Sequence, residues 1–294
     1  MIYAVRHVTR IGYASPVHLA RFNVRLRPAA WPGQRLLDHA LEISPLPWSM
    51  QDEAGPWLVN RSRLLIREPL TELVVTSRCR VAVEPAVRTA VAAPGPTVAA
   101  IRRLALAHGD LGPTGPAGYL YASPLALQTA AIGQWGAPFL ADDVPILAAG
   151  EALMHAIHAQ FTYDSAATDA ATTPEAAFAQ RRGVCQDFAH VMIVAARAHG
   201  LPAAYVSGYL RTLPPPGQPR LVGADATHAW AALWCGPELG WIGFDPTNAC
   251  LAGGDHIFTA MGRDYGDVAP IDGVFRGLAG QTMQVAVDVV PEPE

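Results

Sequence analysis

A cysteine, a histidine and an aspartate that could together perform acyl transfer stand in that order along the chain, at positions 185, 228 and 245. Cys185 lies in Gly183-Val184-Cys185-Gln186-Asp187-Phe188-Ala189-His190, the opening of a helix-forming run that continues to His199 and is stopped by Gly200 and Pro202. The run places Cys185 in the first helical turn. A thiol there meets about half a positive charge and several unpaired backbone N–H groups, and both favour thiolate over thiol. A nucleophile of this kind also needs a base that can hold a proton for the leaving group. His228 opens one strand-like run, His228–Trp234, and Asp245 closes the next, Trp241–Asp245, across the loop Cys235-Gly236-Pro237-Glu238-Leu239-Gly240. A hairpin centred between Pro237 and Glu238 pairs Trp230 with Asp245. His228 then lies on the same face one diagonal step away, with Cα atoms ~7–8 Å apart. At that spacing a carboxylate can accept a hydrogen bond from the imidazole, which gives nucleophile, base and orienter in sequence order.

Other residues near these positions carry weaker signals. Gln186 and Asp187 are first-turn residues, and an acidic side chain there complements the helix dipole. Asp187 would oppose a neighbouring thiolate, so it is expected to point away or to pair with Arg181 or Arg182. Asp225, three residues before His228, could steer a charged substrate or cap a loop. Trp230, Trp234 and Trp241 fit a core or a cleft wall. Arg263-Asp264-Tyr265 is a candidate cleft lining. His155 and His158 stand three apart on a helix with Glu151 one turn earlier, but no matching pair of ligands accompanies them, and no metal is expected. Cys79 falls in the buried phase of a strand. Cys235 and Cys250 read as unpaired thiols in a reducing compartment.

The composition removes whole classes of function. The 294 residues include no lysine, so all 21 basic residues are arginine. That excludes Schiff-base and pyridoxal chemistry and the phosphate-binding loop lysine, and no cofactor is expected. Twenty-five acidic residues give a formal charge of −4, and the arginines are scattered, which argues against a nucleic-acid partner. The chain is 51% hydrophobic and 16% charged, a globular balance. No stretch approaches the ~20 apolar residues that span a bilayer, and the N-terminus lacks the apolar segment of a secretory signal. The expectation is a soluble cytoplasmic protein with no membrane partner; the composition fixes no oligomeric state.

The elements that would position these residues fall into two parts. Over residues 1–88 the alternation of Phe22, Val24 and Leu26, and of Leu73, Val75, Ser77, Cys79, Val81 and Val83, with Pro and Gly between, predicts short strands in a small antiparallel β-sandwich-like domain. The Ala/Val/Pro-rich run 84–97 reads as a linker. Residues 89–294 then carry predicted helices from Thr97 to about His108, Val144 to Ala159, and from Thr173-Pro174-Glu175 onward, followed by the Cys185 helix. Three strands (Ala204–Leu210 and the two runs above) come next, and Thr282–Val289 could return as an edge strand. The stretches 163–180, 211–225 and 249–280 read as loops that shape the cleft.

The segments Arg182-Gly183-Val184-Cys185-Gln186-Asp187-Phe188-Ala189-His190, Thr227-His228-Ala229-Trp230 and Gly240-Trp241-Ile242-Gly243-Phe244-Asp245-Pro246-Thr247-Asn248 resemble the three core motifs of the transglutaminase-like superfamily. The opening residues, with His7, Thr9 and Val24-Arg25-Leu26-Arg27-Pro28, are similar to the N-terminal β-domain of its bacterial members. So are Phe161-Thr162-Tyr163-Asp164, Gly223-Ala224-Asp225 and Gly262-Arg263-Asp264-Tyr265 in their places. The resemblance covers nearly the whole chain. It implies an α+β fold in which a papain-like core follows the β-domain, its nucleophile helix packed on an antiparallel sheet. It also implies a Cys185-His228-Asp245 triad acting on amide or peptide bonds of a peptide or protein substrate through a thioester. The backbone N–H of Cys185 is one expected donor to the oxyanion, and Gln160 or Tyr163 could supply the second. Tyr163, Gln186, Asp225 and Trp230 are the candidate substrate-contacting residues. Water as the acceptor gives a peptidase or amidase, the favoured expectation. An amine gives a transglutaminase or ligase, and a third reading is a non-catalytic peptide-binding module.

Overall fold

The computed structural model describes residues 1–84, 95–212 and 226–292. Most of the linker-like run, and Gly223-Ala224-Asp225, lie outside the described residues. The N-terminal part folds into β1 (Ile2–Val24), β2 (Gln34–Ser44), β3 (Ser49–Ala54), β4 (Asn60–Ile66) and β5 (Leu70–Val83), joined in the order β2-β5-β1-β4-β3. All these pairs are antiparallel. The alternating residues of the sequence face inward as their period requires: Phe22, Val24, Leu73, Val75, Cys79, Val81 and Val83 are buried. Short strands were expected, yet β1 runs for 23 residues. Its register shifts between Gly12 and Val17, around Pro16, which has no N–H to give to a ladder. The irregularity lets β1 change partners without ending. Its first half pairs with β5 and its second half with β4.

The second part begins with α1 (Val98–Ala107), whose Thr97 hydroxyl accepts the Ala100 N–H. It continues through α2 (Ala130–Gly136), α3 (Ile146–Gln160), β6 (Thr162–Tyr163), α4 (Pro174–Gln180), β7 (Arg182–Gly183) and α5 (Cys185–Ala198). Thr173 caps α4 and Gly200, at φ +69°, follows α5, both as the sequence signals require. The strands β8 (Ala203–Leu210), β9 (Ala226–Trp234), β10 (Trp241–Asp245), β11 (Cys250–Leu251) and β12 (His256–Gly262) form one antiparallel sheet in the order β11-β10-β9-β8-β12, and α6 (Tyr265–Val268) follows. Neither α2 nor β12 was anticipated. All seven residues of β12 are buried, so it shows none of the in–out alternation that marks a half-exposed strand. The stretch 249–280 is therefore not a loop throughout.

One face of this sheet holds α5. Phe188, Val191, Met192 and Ala195 join Tyr205, Ala229, Ala231, Leu233 and Phe244 in the main core. The opposite face buries Trp230, Val206, Phe258 and Met261 with Ala29 and Tyr119. The chain then returns to its beginning. β13 (Ile271–Arg276) and β14 (Gln281–Pro291) both pair antiparallel with β1, from His18↔Arg276 to Val24↔Ile271 and from Tyr3↔Pro291 to Tyr13↔Gln281. The return strand is real, and it is an edge strand of the N-terminal sheet. A further core cluster of Tyr3, Val5, Val81, Val287 and Val289 with Tyr209 and Ile257 joins that sheet to β8 and β12. No helix among the described residues is long and apolar enough to cross a membrane.

Candidate active site

The N-terminus of α5 is built by the residues just before it. β6 and β7 form a short parallel pair, Tyr163 opposite Gly183, which fixes the path into Val184 and Cys185. Asp187 then turns back: its Oδ2 accepts the Val184 N–H at 2.8 Å and the Thr168 hydroxyl at 2.7 Å. Valine has no side-chain acceptor, so this is the returning half of a capping box without its partner. Asp187 is thus engaged by the cap, and it pairs with neither Arg181 nor Arg182. Arg182 pairs with Asp164, and the Arg181 guanidinium lies over the rings of Phe178, Phe161 and Trp135 at 3.9, 4.8 and 5.3 Å. The cap satisfies the carboxylate, and the burial of Asp187 raises its pKa. Cys185, as the first residue of the helix, keeps an N–H with no carbonyl four residues earlier to receive it.

The hairpin register is the one expected from the sequence. Trp241 pairs with Trp234 and Phe244 with Ala231, so Asp245 stands opposite Trp230. The His228 Nε2–H donates to Asp245 Oδ2 at 2.7 Å. Cys185 lies near enough for its charge to act on the same imidazole. Histidine and aspartate are thus in direct contact, with the cysteine near enough to influence the histidine. Asp245 is wholly inaccessible. Its Oδ1 accepts the N–H groups of Thr247 (2.9 Å) and Asn248 (3.2 Å), and its Oδ2 also accepts Asn248 Nδ2 (2.7 Å) and His256 Nε2 (3.0 Å). Burial opposes ionisation of this carboxyl, but the hydrogen bonds from His228, His256 and Asn248 outweigh it and hold the group well below the usual carboxylate range. Burial likewise opposes the His228 cation; the hydrogen bond to Asp245 and the charges of Asp245 and Cys185 prevail and push His228 up to about 10.

Two members of this network escaped the sequence reading. Asn248 lies three residues after Asp245, a spacing that a turn following a strand makes legible. His256 sits on β12 and reaches Asp245 through tertiary structure alone. Its Nδ1 accepts the N–H of Gly253 at 3.2 Å, so the proton of the neutral ring is on Nε2, facing Asp245. The ligand atoms of His228, Asp245 and His256 lie within 4.8 Å of one another. That spacing invites a metal, but the donor pattern does not fit one. A metal on His256 Nε2 would require a proton on Nδ1, and Nδ1 faces a backbone N–H that cannot accept it.

The remaining candidates separate by position. Tyr163 is 58% exposed with its ring edge-on to Phe188; burial and the nearby Cys185 charge raise its hydroxyl pKa. Gln160 is engaged elsewhere, its Oε1 accepting the Trp135 Nε1–H at 2.9 Å. Gln186 is part-exposed beside Cys185, its amide 3.4 Å from the Ala170 carbonyl. Trp230 is 2% exposed, with its ring beside those of His228 and His256, so it backs the site as a wall. Asp225 lies outside the described residues. Asp264 is buried and caps α6 while accepting the Leu125 N–H, and Arg263 pairs with Asp267, so these two side chains fasten loops together. His158 donates its Nδ1–H to the Thr247 carbonyl and steadies the turn after Asp245. All four cysteines are free.

A thiol at a helix N-terminus, an imidazole and a buried carboxylate on an antiparallel sheet define a protein with papain-like architecture. The comparisons name the family. The pattern of the transglutaminase-like superfamily matches residues 136–246, and that of the bacterial transglutaminase-like N-terminal region matches residues 3–82. The chain belongs to this superfamily. It is 35% identical to an uncharacterized protein of Mycobacterium tuberculosis, over 98% of this chain and 92% of that one. It is 30% identical to an uncharacterized Mycobacterium leprae protein over 97% of both. A proposed cysteine protease from Cytophaga hutchinsonii shares the fold, with a TM-score of 0.71 at 21% identity, over all of this chain and 92% of the other. A shorter likeness, 39% over 88 residues, links 30% of this chain to 13% of a protein-glutamine gamma-glutamyltransferase of Pseudomonas aeruginosa.

Proposed function

We propose that the protein is a thiol-dependent acyl-transfer enzyme that hydrolyses amide or peptide bonds of a peptide or protein substrate, with Cys185 as nucleophile, His228 as general acid and base, and Asp245 as orienter. The observation that carries the reading is His228 hydrogen-bonded to a buried, charged Asp245 and raised by the charge of Cys185 at the start of α5. Cys185 Sγ attacks the carbonyl carbon and the carbonyl oxygen takes the negative charge. The Cys185 N–H and the Tyr163 hydroxyl are the donors proposed for that oxygen. The His228 proton passes to the departing amine, which leaves a thioester on Cys185. His228 then takes a proton from water, the hydroxide attacks the thioester, and the acid departs as His228 returns the proton to sulfur. Gln186 borders the thiol and is proposed to contact the acyl chain. The cytoplasm, which keeps thiols reduced, suits the four free cysteines. Amine acceptance is the second reading, favoured by the name of the Pseudomonas relative.

The test is iodoacetamide labelling of the four cysteines against pH, read by peptide mass spectrometry. Burial pushes Cys79 up to about 12 and raises Cys235 and Cys250 as well, so those three should label slowly at pH 6. Fast labelling of Cys185 at that pH, collapsing in His228→Ala, is the expected result. Labelling of Cys185 no faster than that of Cys250 would defeat the reading and favour a peptide-binding module. Ammonia release that requires an added primary amine would move the chemistry to transglutamination.

A further inference from the structure

Asp245 Oδ2 accepts hydrogen bonds from two histidines on different strands, and the acyl-transfer reading uses only one of them. We propose that His256 is a positioning residue acting through Asp245: by donating Nε2–H to Oδ2 it takes a fixed share of the carboxylate charge and so sets how strongly Asp245 holds the His228 imidazolium. The inference rests on reading Cys185, His228 and Asp245 as an acyl-transfer triad.

Three observations carry it. The Gly253 N–H on Nδ1 locks the His256 ring as an Nε2 donor, at 3.0 Å from Oδ2. The ring is also fixed in space, buried on β12 and edge-on to Trp230 with centroids 5.2 Å apart. Finally, Asp245 does not depend on His256 for its orientation, because the Thr247 and Asn248 N–H groups hold Oδ1 and Asn248 Nδ2 holds Oδ2. Removing the His256 donor therefore changes the charge left on Oδ2 more than it changes where the carboxylate points. More charge on Oδ2 strengthens the hydrogen bond from His228 and favours the imidazolium.

Among the described residues the neighbouring ionisable groups are these. His228 of β9 lies 6.1 Å away, centroid to centroid, Asp245 belongs to β10, and Cys250 of β11 pairs directly opposite Asp245. Asp255, adjacent in sequence, is occupied by the Tyr3 hydroxyl and Arg211. Glu84, His108 and Asp110 line the cavity that borders His256.

The experiment compares alkylation of Cys185 by iodoacetate and by iodoacetamide, against pH, in the full chain and in His256→Phe and His256→Gln. Anionic iodoacetate is favoured while an imidazolium stands beside the thiolate, so the pH at which its advantage disappears reads deprotonation of His228. In His256→Phe that pH should rise by on the order of one unit, whereas His256→Gln, which keeps an N–H donor, should stay near the unaltered chain. An unmoved or lowered limb in His256→Phe overturns the inference while leaving the triad intact. Absence of any iodoacetate advantage in the unaltered chain overturns the triad reading and this inference with it. If His256→Phe does not fold, 15N-histidine NMR of the unaltered chain decides: a proton on Nε2 of His256 is expected, and a proton on Nδ1 overturns the proposal.

Discussion

Asp245 accepts five hydrogen bonds through two oxygens, and that crowding determines what a substitution there does. In Asp245→Asn the amide group must face either the three side-chain donors at Oδ2 or the two backbone donors at Oδ1, and both placements set donor against donor. The negative charge that favours the His228 cation is lost as well. The pH at which Cys185 loses its preference for iodoacetate over iodoacetamide should fall by about one to three units, the scale of removing an opposite charge beside an ionisable group. An unmoved pH would separate Asp245 from the chemistry. The sign of the pH dependence follows from the direction of the shift. His228 is raised in the folded state to about 10, so its stabilising contribution is complete below the unfolded value of ~6.5. That contribution is lost as the pH rises through about 10.

The start of α5 is where an element rather than a residue governs the site. Asp187 holds the Val184 N–H and the Thr168 hydroxyl, and Gly183 leaves room for it: a Cβ at 183 would lie 2.5 Å from Asp187 Oδ2. Asp187→Ala should cost about 1–2 kcal/mol in urea unfolding, and Gly183→Ala should lose stability through the same cap. Asp187→Asn, which keeps an acceptor for Val184, should lose less than Asp187→Ala. Equal losses in the two Asp187 variants would mean that the cap is not what Asp187 contributes. The helix itself was legible, since Cys185 at its start and Gly200 beyond its end are punctuation written in residue types. The arginine partner expected for Asp187 was not found, because Arg181 spends its side chain on three aromatic rings and Arg182 on Asp164. Spacing along the chain carries no information about that competition.

For the molecule as a whole, the two ends of the chain share one sheet, and the contact between that sheet and the core buries ionisable side chains. His7 on β1 is hydrogen-bonded to Thr9 (2.8 Å) and to Tyr209 of β8 (3.2 Å). Burial lowers it to about 4 and, acting with nearby Arg197 against Asp264, lowers His190 on α5 to about 4 too. A histidine held neutral contributes fully above its unfolded value of ~6.5, and that contribution is lost as the pH falls towards 4. The lost stability approaches about 1.4 kcal/mol per pH unit for each such residue. The urea midpoint should therefore decline between pH 6.5 and 4.5. The decline should be shallower by one proton in His7→Gln, which retains partners for Thr9 and Tyr209. A midpoint that stays level across this range in the unaltered chain would show that neither histidine is buried as described.

Local order in this protein was set by the sequence alone. Period-2 alternation placed the N-terminal strands, cap residues placed α1, α4 and α5, and a six-residue loop placed the hairpin register that sets Asp245 opposite Trp230. Those signals suffice because each depends on neighbours a few residues apart. Tertiary structure decided the rest. β12 is buried on both faces and so carries no periodic signal, and its His256 meets Asp245 only when β8 brings the strand into the sheet. β13 and β14 find β1 more than 240 residues earlier by matching ladders. Pairing of that kind is specified by the sum of many backbone hydrogen bonds and apolar contacts, none of which leaves a mark at a fixed spacing in the chain.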